Sequence, residues 1–114
     1  MAEVAADTHQ TLAAVSAGDL DALETAIGLR EANREASGLD GRSFALVKIA
    51  SLIALDAPPA SYMWQVANAL EEGVTPEEIL GVLRAVAPQV GGPRVVAAAP
   101  EIMLALGLTL DEEA

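Results

Sequence analysis

Glycine and proline punctuate this chain so regularly that only helix-length stretches are left between them. The breaks are Gly38, Asp56-Ala57-Pro58-Pro59, Gly73 with Pro76, Pro88, and Gly91-Gly92-Pro93. Between them alanine and leucine dominate, while β-branched and aromatic residues are sparse, which favours helix over strand. No stretch alternates as a strand would, and no repeat of fixed period emerges. The pattern predicts an all-α domain of five or six short helices.

The first stretch, Ala6 to Ala17, is weakly amphipathic. A second begins after Asp19, where Leu20, Leu23, Ile27 and Leu29 recur at helical spacing until Gly38 ends it. A third opens after Asp40 and runs to Leu55. Phe44, Val47 and Ser51 take one face, while Leu46, Ile49, Ala50 and Ile53 take another, so this helix is expected to be central and buried. A fourth runs from Pro59 to Glu72. Thr75-Pro76-Glu77-Glu78 then reads as a helix start: Thr75 as cap, Pro76 in the first turn, Glu78 closing a capping box. Ile79, Val82, Leu83 and Val86 give that fifth helix its apolar stripe, and Pro88 with the Gly-Gly-Pro turn is expected to end it. The last helix, Pro93 to Leu106, is nearly all small or apolar despite Pro100.

Composition excludes several classes of function. The 114 residues carry 17 acidic and 6 basic side chains, a formal charge of -11. Such a surface repels phosphate backbones and anionic bilayers, so neither nucleic acid nor membrane is an expected partner. The absence of cysteine removes disulfides, thiol nucleophiles and thiolate metal sites. A single histidine, His9, excludes a multi-histidine metal centre within one chain. No metal and no cofactor is therefore expected. The N-terminus MAEVAADTHQ is acidic where a signal peptide is basic, which makes the cytoplasm the expected compartment. Segments 44–55 and 93–108 offer few polar positions to water. A domain of this size cannot bury both alone, so a homo-oligomer is expected.

Gly38 to Leu106 resembles the carboxymuconolactone decarboxylase family, whose relatives include the AhpD-like alkylhydroperoxidases. The residues carrying the likeness are Leu46-Val47-Lys48-Ile49-Ala50, Ala54-Leu55-Asp56-Ala57-Pro58, Ala69 through Ile79, and Val90-Gly91-Gly92-Pro93-Arg94. Their order matches the family's: an apolar helix, a short turn, a helix closing on glycine, a Thr-x-Glu-Glu helix start and a glycine-proline turn. The resemblance implies an AhpD-like bundle built around a helical hairpin, and assembly as a trimer or hexamer. It implies one domain over 1–114, with residues 1–38 as an N-terminal helical extension and 39–110 as the family core. Thiol-dependent relatives open the fourth helix with CxxC and place a histidine four residues after the second cysteine. Those positions hold Pro58, Ser61 and Gln65 here, and the family's frequent acid before Leu-Val falls on Ala45. The resemblance therefore extends to the fold and not to peroxidase chemistry.

Several side chains are candidates for a site, each with a plainer structural reading. Ser61 and Gln65 stand one helical turn apart at the family's reactive position; they could orient a ligand's carbonyl or simply satisfy each other. Lys48, the only lysine, could serve as a base or bind an anion, or could reach solvent along its stem. Tyr62, Met63 and Trp64 could wall an apolar cavity or fill the core. Arg94 could take a carboxylate bidentately or pair with one of the acids. Glu71-Glu72 and Glu77-Glu78 read as solvated helix ends, and His9 as exposed.

Three functions follow as expectations. The first is an oligomeric protein binding a small organic molecule through Ser61, Trp64, Gln65 and Arg94. The second is a cofactor-free lyase or isomerase on a small oxo-acid or lactone, with Lys48, Tyr62 and Gln65 as catalytic candidates. The third is a purely structural or interaction protein.

Overall fold

The computed structural model describes residues 3–19, 21–23 and 31–110. Six helices lie among them: α1 (Ala6–Ser16), α2 (Glu31–Ser37), α3 (Gly41–Leu55), α4 (Pro59–Glu71), α5 (Pro76–Val90) and α6 (Gly92–Ala105). The described residues contain no strand, so the chain is all-α. Two compact units divide it, Met1–Leu39 and Asp40–Ala114.

In the first unit, α1 buries no residue, in keeping with its weak amphipathic pattern. It closes on Gly18, after which the Asp19 N–H donates to the Ala14 carbonyl at 2.9 Å. The Asp19 carboxylate then accepts from the Ala22 N–H at 3.0 Å, turning the chain into its next segment. Of the expected stripe, Leu23 is described; Leu20, Ile27 and Leu29 lie outside the described residues. Helix α2 stops just before Gly38, whose φ is +71°.

The second unit is built on α3, which packs against α4, α5 and α6. Asp40 caps α3 by accepting from the Ser43 N–H at 2.7 Å. That hydrogen bond is the main reason the Asp40 carboxyl sits below its ordinary range. Ile49 and Ile53 of α3, Tyr62 and Val66 of α4, and Ile79 of α5 are the largest fully buried side chains. Ala45, Ala69, Val74, Leu83, Ala98 and Ile102 complete the core. Alanines at three of these positions let the helix axes approach closely.

Two details differ from the sequence pattern. Helix α3 is not covered all round: Val47 is 52% and Leu55 75% exposed, and Ser51 and Ala54 lie open on the same stripe. Three neighbouring helices suffice to cover Ala45, Ile49 and Ile53, but nothing in the unit lies over the opposite side. Pro88 sits inside α5 rather than ending it. Proline cannot donate to the Arg84 carbonyl, but both residues are exposed, so water can satisfy that oxygen. The helix resumes and ends at Gly91, whose φ of +87° and ψ of 161° only glycine adopts readily.

An unforeseen clamp joins the start of α3 to the α4–α5 turn. Thr75 and Glu78 form the expected capping box, with the Glu78 N–H donating to the Thr75 hydroxyl at 3.1 Å and the Thr75 N–H donating to the Glu78 carboxylate at 2.9 Å. Arg42 donates to the Gly73 carbonyl at 2.8 Å and also pairs with the Glu78 carboxylate. The Arg42 guanidinium, and after it the Thr75 N–H, hold the Glu78 carboxyl at about 2, below its ordinary 4.5. A depressed acid stabilises the fold fully above its unfolded value and loses that contribution as pH falls through the folded one. Thermal midpoints should therefore fall on acidification from 4.5 to about 2. The loss should be smaller at high salt because the pair is exposed. Glu78→Gln, which keeps an acceptor for the cap, should flatten that acid limb; identical slopes in both proteins would show that the clamp adds nothing.

Candidate functional site

Helix α4 begins where the Asp56–Pro58 turn releases the chain. Pro58 takes the N-cap position and Pro59 the first turn, and no side chain caps the start. Asp56, the residue that ends α3, has φ +54° and is the one non-glycine with positive φ among the described residues. Aspartate tolerates this left-handed conformation better than most side chains, but at some cost in strain. Its N–H donates to the Ile53 carbonyl at 3.4 Å and the Ala57 N–H to the Leu52 carbonyl at 3.1 Å, which closes the helix.

From this start α4 presents two adjacent stripes. Tyr62, Val66 and Ala69 point into the core. One residue back, Ser61, Gln65 and Asn68 form a half-buried polar stripe, with Trp64 beside them. Tyr62 is 1% exposed and belongs to the packed core. Burial first, and then the charges of Asp56 and Glu101, push its phenol above the ordinary value. Lys48, half-buried on α3, carries its ammonium 5.2 Å from the centre of the Phe44 ring. Met63, at 53% exposure, faces outward.

Asn68 escapes a reading by sequence motif. Its Nδ2 is buried and has no hydrogen-bond partner, and the only signal for it is its place three residues after Gln65 on the same helix face.

Two open hollows are lined entirely by residues of the second unit. The larger, about 350 Å³, runs between α5 and α6 over Leu80, Leu83, Ile102, Met103, Leu106 and Leu108, with Glu77 its one charged wall. The smaller, about 240 Å³, is lined by Asp56, Pro93, Arg94 and Ala97. Arg94 is thus the one sequence-derived candidate that lines either hollow; Ser61, Tyr62, Trp64, Gln65 and Lys48 line neither. Among the described residues Arg94 and Asp56 share the smaller hollow without forming an ion pair with each other or with any other group. The start of α6 has no capping side chain and no acid in its first turn, so the helix end adds positive potential beside Arg94.

Set against known families, residues 21–102 match the carboxymuconolactone decarboxylase family. The chain belongs to that family. No curated protein matches it. No solved structure matches it. The match to the carboxymuconolactone decarboxylase family spans α2 to α5 and most of α6. Among the described residues no helix is long and apolar enough to cross a membrane.

Because Asn68 Nδ2 makes no hydrogen bond, Asn68→Ala leaves no partner stranded and gains about 0.5 kcal/mol of helix propensity. Chemical denaturation should show stability unchanged or slightly raised. A loss above about 1 kcal/mol would instead reveal a bonded amide.

Proposed function

We propose that this protein is a homo-oligomeric member of the family that binds a small organic anion at the α3–α4 turn and does no thiol chemistry. One observation carries the binding reading: Arg94 lines a hollow of about 240 Å³ and makes no ion pair among the described residues. On a chain with 17 acids and 6 basic groups, a cation left unpaired is the scarcer arrangement. A guanidinium matches a carboxylate in shape, and both of its donors on one edge can engage it. Ser61 and Gln65 line neither hollow and have no part in binding there.

Acetate or butanoate, titrated at constant ionic strength, should shift the Arg94 side-chain N–H resonance of the labelled protein. Arg94→Gln should abolish every shift near the turn. Shifts that survive that substitution, or that never arise, would end the reading.

Assembly is supported by the apolar surface the second unit leaves open. Leu80 and Leu108 are 44% exposed at the α5–α6 hollow, whose walls are otherwise almost wholly apolar. A second copy of the chain seated there would remove from water what a single copy cannot cover. Light scattering at micromolar concentration should give a trimer or a multiple of one, and Leu80→Glu with Leu108→Glu should lower the mass to that of a single chain. A stable monomer in the unaltered protein would refute assembly.

A further inference from the structure

The smaller hollow contains a second charge that the binding of an anion does not use. Asp56 lines it together with Arg94, and the two carry opposite charges without forming an ion pair. Asp56 is fixed in a left-handed turn between α3 and Pro58, and Arg94 issues from the first turn of α6 immediately after Pro93. Pro93 stiffens the backbone before Arg94, and helix-closing hydrogen bonds hold the turn at Asp56.

We propose that this hollow selects a small zwitterion, a molecule carrying a carboxylate and an ammonium group at its two ends. The carboxylate would meet the Arg94 guanidinium, and the ammonium would meet the Asp56 carboxylate. This rests on the reading that Arg94 binds an anion, and it names the class of molecule. A simple carboxylate would satisfy Arg94 and leave Asp56 facing it with like charge. A zwitterion satisfies both walls and adds no net charge to a chain already at -11.

The test compares 4-aminobutanoate with butanoate and with butylammonium at equal ionic strength, following the Arg94 side-chain N–H and the Asp56 and Ala57 amides by NMR. Glycine and 3-aminopropanoate vary the charge separation. Asp56→Asn is the informative variant, because asparagine accepts the left-handed turn and loses only the charge. Arg94→Gln is its counterpart. The expected result is that one of the three amino acids binds about fivefold tighter than either singly charged probe, the increment of one partly exposed charge pair. That advantage should vanish in Asp56→Asn, while butanoate binding stays or strengthens. If butanoate binds as well as every amino acid and Asp56→Asn changes neither, the zwitterion is refuted and the anion site stands. If no carboxylate perturbs Arg94, both fall together.

Discussion

The second unit depends on one buried stripe of α3. Ile49 and Ile53 have no exposure, and α3 packs against α4, α5 and α6. Most of what surrounds that stripe is small. Alanines at 45, 69 and 98 bring the helices close, so few large side chains fill the space. The consequence is a compact core that leaves much apolar surface outside it. Val47 and Leu55 on α3 and Val96 on α6 remain more than half exposed. The same economy that lets four short helices close around Ile49 and Ile53 therefore produces the apolar surface that favours assembly.

Local signals were readable from the sequence because they depend on near neighbours. Asp40, Gly73 and the Thr75–Glu78 box mark helix ends by hydrogen bonds within four residues, and all appear where the sequence puts them. The order of those signals also carries the family likeness. Long-range features were not readable. Arg42 reaches Gly73 and Glu78 across more than thirty residues, and nothing local to Arg42 announces it. The open side of α3 was hidden for a related reason, since a helix apolar all round cannot say which side its neighbours will leave bare. Pro88 misled because the Arg84 carbonyl it deprives is open to water, and the helix runs on to Val90.

The candidate site was half legible. Arg94 stood out as a cation after a Gly-Gly-Pro turn, but Asp56 read only as a helix stop. Its place at the hollow comes from α6 being folded against α4, which brings Arg94 and Asp56 to line the same space. Tyr62 read equally well as a site wall or as core, because a bulky side chain next to polar ones suits both. Its 1% exposure assigns it to the core.

The uncapped start of α4 holds its geometry while offering little to a nucleophile. Pro58 and Pro59 preserve the geometry of a helix start, since proline suits the first turn and needs no donor there. The electrostatics of that start are weak, because Pro58 and Pro59 have no N–H and the Ser61 N–H donates to the Pro58 carbonyl at 3.0 Å. Even a full set of free N–H groups is bounded at about 2 kcal/mol, which is roughly one and a half pKa units. A shift of that size brings a thiol with an ordinary value of about 8.5 close to neutrality, enough to expose a reactive thiolate. The same shift leaves the Ser61 hydroxyl fully protonated. An alkoxide would need a general base to form, and Gln65, one turn on, cannot accept the proton. The helix start thus offers Ser61 neither the field nor the base that an attacking oxygen would need.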